Sequence, residues 1–250
     1  MIDSLIWYIK KIFFRLSGKQ PYRGQFAYRK YLFQELKHSY GEKTFKDKRI
    51  LEIGPKDGED TFRLETLSPS EIVMFDLPDK DEENKKWLDK LKVKNQYYVE
   101  NFLYIDNNIT EKIGSFDLIY FTGVLYHNPE QLKFIKKLYD LLNINGILVL
   151  ESSVSRNFLL RNKNAVEIWY PETYRNTTTI THLPTKKAII SWLKMVGFNK
   201  IEISKCYDKE DFNIRKKRFA CIAQKKDSDK PGVYYEKQIE NSQYFIGGSN

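Results

Sequence analysis

The residues of this chain best placed to do chemistry begin with Arg49-Ile50-Leu51-Glu52-Ile53-Gly54-Pro55-Lys56-Asp57-Gly58-Glu59-Asp60, an apolar run that ends in a carboxylate and breaks at once into a glycine turn. Glycine there lets the backbone bend sharply and lets a ligand lie close against it. A dinucleotide loop would set a pyrophosphate on the next helix N-terminus with closely spaced glycines. Here Lys56 stands in the place of the middle glycine, and Asp57, Glu59 and Asp60 would repel a pyrophosphate. Glu52 is an acid where such loops usually carry an apolar residue, so the turn suits a cationic ligand. Glu71-Ile72-Val73-Met74-Phe75-Asp76 is a second apolar run ending in an acid, at the βαβ distance where a ribose diol is gripped. A nucleoside without phosphates fits both observations.

The elements that must position these residues alternate strand and helix, which predicts an α/β fold: a Rossmann-like, doubly wound, mostly parallel sheet with helices on both faces. Residues 85–91 and 130–142 are predicted crossover helices, the second opening after Asn128-Pro129 and closing at residues 143–146. Residues 186–196, ended by Gly197, form another. Residues 200–206 and 217–224 read as a final antiparallel strand pair. A helix over residues 25–40, ended by Gly41, leads into the domain.

In order and spacing the chain resembles the class I S-adenosylmethionine-dependent methyltransferases, from about residue 49 to residue 226. The family's glycine motif is matched by Glu52, Gly54 and Gly58, with Lys56 a departure, and its ribose acid by Asp76. The turn after its third strand is matched by Tyr97-Tyr98-Val99-Glu100-Asn101-Phe102. Its fourth strand and turn are matched by Phe116 to Phe121 and Thr122-Gly123-Val124-Leu125-Tyr126-His127, its fifth by Asn145-Gly146-Ile147-Leu148-Val149-Leu150-Glu151. The resemblance implies S-adenosyl-L-methionine as cofactor. Ligands of open α/β sheets sit beyond the carboxyl ends of the strands, which places Glu52, Asp76, Asn101, Gly123 and Glu151 around one crevice. Gly54 and Gly58 would wall the methionine half, Asp76 would accept from the ribose hydroxyls, Leu77 would pack on adenine, and Asn101 with Phe102 would hold the base edge. The carbonyl of Thr122 or Gly123 would accept from the methionine ammonium.

Methyl transfer asks for in-line placement and, for a hydroxyl acceptor, removal of a proton. His127, just after the fourth strand, is the first acid-base candidate because imidazole titrates near neutrality; a cap for the following helix is the structural alternative. Glu151 ends the fifth strand as a base, a substrate grip or a structural hydrogen-bond partner. His182, Tyr170 and Tyr174 lie in a substrate-side insertion over residues 152–185, and His38 on the leading helix reads as surface. No metal site is expected: Asp76, Asp79, Asp81, Glu82 and Glu83 read as a solvated helix start.

A closer likeness runs through Gly123 to His127, Leu150-Glu151, Tyr174, Leu183-Pro184-Thr185 and Trp192-Leu193. It is to the enzymes that carboxymethylate the wobble uridine of tRNA from a carboxylated donor. Thr178 and Thr179 stand where that family places arginine and asparagine, so an ordinary methyl donor is expected here. The leading expectation is methyl transfer to a small-molecule acceptor such as a sugar or glycan hydroxyl. The alternatives are a tRNA-modifying methyl- or carboxymethyltransferase and a non-catalytic cofactor-binding module.

At 250 residues, 41% hydrophobic, the chain can bury one full core. The expected division is N-terminal helices over residues 1–45, a methyltransferase domain over 46–226, and a polar tail over 227–250. Cys206 and Cys221 lack metal-type spacing and predict no disulfide scaffold, so a reducing cytoplasm is the expected compartment. A net charge of +9 favours an anionic partner, tRNA among them, or reflects nucleotide bias in the genome. Arg215-Lys216-Lys217-Arg218 either meets phosphates or forms the solvated edge of a terminal hairpin. Residues 4–17 place Leu5, Ile6, Ile9, Ile12, Phe13 and Leu16 on one helical face opposite Lys10, Lys11 and Arg15, a pattern for a membrane interface or for a cap helix on protein. The run is too short to span a bilayer.

Overall fold

The computed structural model describes residues 27–77, 87–171, 180–209 and 217–227. The amphipathic stretch at residues 4–17, the acidic residues 79–83, Tyr174, Thr178, Thr179, Arg215, Lys216 and the tail from residue 228 lie outside the described residues.

In chain order the elements are α1 (Ala27–Tyr40), β1 (Arg49–Ile53), α2 (Glu59–Glu65), β2 (Glu71–Asp76), β3 (Asn95–Val99), α3 (Asn107–Ile113), β4 (Phe116–Thr122), α4 (Gln131–Asp140), β5 (Leu142–Ser153), β6 (Val166–Trp169), β7 (Thr181–Pro184), α5 (Lys186–Val196), β8 (Lys200–Ile203) and β9 (Arg218–Gln224). A 7-stranded sheet has the order β3-β2-β1-β4-β5-β9-β8, and β6 and β7 pair separately as a 2-stranded sheet. Strands β1 to β5 are parallel; β9 runs antiparallel to both β5 and β8. The expected doubly wound sheet with a C-terminal antiparallel strand is therefore present.

The elements follow local chemistry. Helix α1 stops where Gly41 takes a φ of 79° with ψ at 141°, a combination open to glycine because it has no Cβ. Helix α5 starts on Thr185, whose hydroxyl accepts from the Ala188 amide at 3.1 Å, as N-cap threonines do, and stops at Gly197. Differences from expectation fall at element ends. Of the helix expected over residues 85–91, residues 87–91 are described, and among them Leu88–Lys90 is helical, as a 3-10 turn, because Trp87 turns inward against Phe62 and Tyr97 and Leu91 is already extended. Strand β5 opens at Leu142 rather than Asn145, since Leu142 pairs with Phe116; Asn145 takes a φ of 65° within it. Strand β8 stops at Ile203, and Cys206–Lys209 is a 3-10 turn.

Strand residues alternate between two apolar layers. Leu51, Ile53, Val73, Phe75, Ile119, Phe121, Leu148 and Leu150 face α4 and α5. Ile50, Ile72, Met74, Leu118, Tyr120 and Val149 face the other way, with Tyr28, Leu32 and Leu36 of α1 and Leu64 of α2. That alternation decides where the polar residues at the strand tips go.

Candidate active site

By the same period of two, Glu52, Asp76, Thr122 and Glu151 continue the rows of Ile50, Met74, Tyr120 and Val149, on the face that carries α1. All are buried, and the register sets Glu52 beside Tyr120 and Thr122 beside Glu151. The strand ends thus form a band of buried polar groups rather than a rim of solvated ones.

The glycine turn closes over the tip of β1. The Gly54 amide donates to the Phe75 carbonyl at 2.8 Å, and Gly54 and Gly58 both take a φ of 75°. Lys56 takes a φ of 55°, so the backbone keeps a left-handed conformation without glycine there, at a cost of about 1–2 kcal/mol. Asp76 holds the turn: its Oδ2 accepts from the Lys56 amide at 3.3 Å and its Oδ1 from the Leu77 amide at 2.9 Å. A Cβ on Gly54 would lie 2.6 Å from Val124 Cγ2, and one on Gly58 would strike the Trp87 indole. The absence of a side chain at Gly54 lets the β4 turn approach, and at Gly58 it seats an aromatic ring.

Arg29, which the sequence reading missed, reaches this band from α1. Its Nη1 donates to Asp60 Oδ2 at 2.9 Å and its Nη2 to the Thr122 carbonyl at 3.4 Å. A Cβ on Gly123 would sit 2.5 Å from Arg29 Nη2. One signal was available: Arg29 shares the i, i+4, i+7 helical stripe of the apolar residues Phe33 and Leu36, both of which the fold buries. Beside it, Glu52 accepts from the Thr61 hydroxyl at 2.6 Å. Burial and the neighbouring Asp60 charge push the Glu52 carboxyl up to about 8, against the pull of Thr61 and Arg29.

Glu151 does not end β5, which pairs on with β9 through Ser153; it is fully buried and not at a solvated rim. Its Oε1 accepts from the Tyr207 hydroxyl at 2.7 Å and from Arg218 Nε, and its Oε2 from Arg218 Nη2 at 2.8 Å. Burial pushes this carboxyl up, but the Arg218 guanidinium, with Arg29 and Tyr207, brings it below its ordinary value. Arg218, read from sequence within a basic run, points inward instead. It opens β9, and the alternation that buries Ala220 and Ile222 on the α1 face carries it there as well. Tyr207 gave no sequence signal.

The remaining predicted residues are dispersed. His127 is exposed on the 3-10 turn Leu125–His127, its amide donating to the Val124 carbonyl at 2.9 Å and its ring 4.0 Å from that of Tyr126. Leu77 is half exposed, beside Asp76. Asn101 is exposed and accepts from the Leu103 amide at 3.1 Å, capping its own turn. The Phe102 ring, expected at a base edge, lies instead in the core with Phe75 and Phe134 at 5.0 and 5.7 Å, because its 3-10 turn rolls it under the sheet. His182 sits on β7, and its carbonyl accepts from Gln131 Nε2 at 2.7 Å. Tyr170 and His38 are exposed.

A sheet of this order, with a glycine turn after its first strand and an acid ending its second, has the fold of the S-adenosylmethionine-dependent methyltransferases. The methyltransferase-domain family matches across residues 26–203, and the chain belongs to that family. The tRNA U34 carboxymethyltransferase of Helicobacter pylori strain G27 is 25% identical over 158 residues, 63% of this chain and 59% of that protein. The chain spans about three fifths of the length of such curated relatives. The solved 1,6-didemethyltoxoflavin-N1-methyltransferase of Burkholderia thailandensis, with S-adenosylhomocysteine bound, matches with a TM-score of 0.59 at 13% identity, covering 90% of this chain and 89% of that one. The N-methyltransferase NodS of Bradyrhizobium japonicum WM9, also with S-adenosylhomocysteine, matches with a TM-score of 0.55 at 15% identity, covering 81% and 89%.

Proposed function

We propose that this chain transfers a methyl group from S-adenosylmethionine to a small-molecule acceptor, a sugar or glycan hydroxyl being the acceptor class of first choice. The observation that carries the reading is the pairing of opposite charges along the strand tips. The Asp76 carboxylate lies at the end of β2, Glu52 and Asp60 lie beneath the glycine turn, and the Arg29 guanidinium lies at Gly123. A ribose diol, a cationic centre and a carboxylate, all parts of this donor, meet the groups they need in that order.

When bound, S-adenosylmethionine supplies a methyl group already activated on a sulfonium. The chain's tasks are to hold the reactants in line and to take the acceptor's proton. Asp76 is assigned the ribose hydroxyls, with Leu77 beside it for the base and the Asn101 turn at the base edge. Gly54 and Gly58 shape the turn, and Arg29 is assigned the donor carboxylate, with the Thr122 and Gly123 backbone closing that end. His127 is assigned the proton, since it is exposed and its backbone is fixed. Glu151 is assigned a holding role, because Arg218 and Tyr207 already occupy both its oxygens.

The test is turnover: the chain incubated with S-adenosylmethionine and small-molecule extract should yield S-adenosylhomocysteine and a product heavier by one methyl group by mass spectrometry. No S-adenosylhomocysteine with any extract would leave the non-catalytic binding module. His127→Ala should lower kcat about 100-fold or more, the scale of general-base loss, with donor affinity unchanged by calorimetry; loss of both would make His127 structural.

A second reading is tRNA modification, favoured by the likeness to the U34 carboxymethyltransferases and by the +9 charge. It requires salt-sensitive retention of tRNA, and its absence would remove that reading.

A further inference from the structure

Between Glu151 and Glu167 the chain carries Arg156, Arg161 and Lys163 and no acidic residue. Within this stretch the loop from residue 156 to residue 164 stands out from the domain. Phe158 and Leu159 at its tip are 68% and 76% exposed. The loop is nevertheless built. Asn157 Oδ1 accepts from the Leu159 amide at 3.0 Å, the Leu160 amide donates to the Asn157 carbonyl at 3.1 Å, and the Lys163 amide donates to the Leu160 carbonyl at 2.8 Å. At its base the Thr185 hydroxyl donates to the Lys163 carbonyl at 2.6 Å and Lys187 Nζ to the Asn162 carbonyl at 3.2 Å. Two large apolar side chains are thus held outward by a hydrogen-bonded scaffold. The Arg161 guanidinium lies 4.5 Å from the Phe158 ring centroid. The chain then runs into β6, where Ile168 is also exposed, and on to the exposed Tyr170 just past its end.

We propose that this loop is a membrane-docking tip, with Phe158 and Leu159 entering the headgroup boundary of an anionic lipid bilayer and Arg161 and Lys163 meeting its phosphates. Apolar tips flanked by cations are the chemistry that binds such interfaces, through buried apolar area and attraction to acidic lipids. An RNA partner is less well served. Base stacking needs open aromatic faces, whereas the two outermost apolar residues of the tip offer one ring, Phe158, with a face already covered by Arg161, and the exposed Tyr170 lies beyond β6 rather than on the tip. The loop leaves from the carboxyl end of β5, the end of the sheet that carries the polar band, so docking there would bring that edge of the domain to the lipid surface. The proposal goes beyond the methyl-transfer reading and does not depend on it.

The test uses the full chain and sedimentation with vesicles of phosphatidylcholine alone or mixed with phosphatidylglycerol. Binding is expected only to the anionic vesicles. F158S/L159S should weaken it about tenfold or more, and R161E/K163E about fivefold per charge, with circular dichroism and Tm unchanged because these side chains are exposed. Cys206 and Cys221 are buried, so L159C takes a polarity-sensitive fluorophore at residue 159, and its emission should shift blue on anionic vesicles alone. Several results would each overturn the proposal. They are wild-type indifference to anionic vesicles, binding that survives both double variants (which would assign it to another segment, such as residues 4–17), a label that stays in water, tRNA retention lost in F158S/L159S with no vesicle binding, or a dimer that the same variant dissolves.

Discussion

Glu52 on β1 and Glu151 on β5 lie on the same sheet face with β4 between them and are buried almost equally, at 2% and 0% exposure, yet their protons behave oppositely. Burial pushes both carboxyls up. At Glu151 a bidentate guanidinium and a tyrosine hydroxyl overcome it; at Glu52 a threonine hydroxyl faces a second acid, and burial wins. The partner, not the depth, decides the charge of a buried acid. On the β5 side the band is internally neutralised and fixed. On the β1 side Arg29 and Arg63 pair with Asp60, while Glu52 beneath the glycine turn is bonded to a hydroxyl, so a cationic ligand close by would favour its charged form.

The largest expected effect breaks the settled side. Arg218→Ala leaves Glu151 buried without its ion pair and should cost about 3–5 kcal/mol, read as a lower denaturation midpoint. Replacing Glu151 as well, in E151L/R218L, should recover most of the loss. If the single variant costs under about 1 kcal/mol, the pair is a surface-like contact and the contrast fails. Next, Asp76→Ala should weaken S-adenosylhomocysteine binding by about 1–3 kcal/mol, the scale of lost charge-assisted hydrogen bonds, with calorimetry as the measure. Equal weakening by Arg218→Ala in a still-folded protein would erase the distinction between the sides.

The smallest effect is the dependence of stability on pH. Glu52 faces Asp60 and Thr61 from α2, Arg29 from α1, Asp76 from β2 and Tyr120 from β4. Its folded pKa, about 8, lies above the unfolded carboxylate range, so the folded state binds the proton more tightly. Its contribution is therefore complete below the unfolded value and is lost as pH rises to about 8. Glu151, lowered in the fold, contributes above the unfolded value and loses that as pH falls. Thermal scans should show Glu52→Gln removing part of the decline between the unfolded carboxylate range and about pH 8, and leaving the limb below that range unchanged. An unchanged decline across that window would mean that Glu52 is charged throughout.

The sheet was legible because its strands are apolar runs of fixed period punctuated by glycine, and Asp76 was legible because it ends one. Arg29 was not, since it meets the Thr122 carbonyl across 93 residues, a contact that no local pattern encodes. Arg218 was misread because a run of like charges describes composition, while strand alternation assigns each residue a side. The Phe102 ring and the described residues 87–91 of the predicted helix depart from expectation where tight 3-10 turns replace the geometry expected.

The contact at Gly54 works as a gear between two turns. With Val124 seated where a side chain would stand, the loop after β1 cannot shift without pressing on the turn after β4, which begins at Val124 and ends at His127. Occupancy on one side of the β1–β4 seam is thereby transmitted as position on the other, so Gly54→Ala would move the imidazole without touching it.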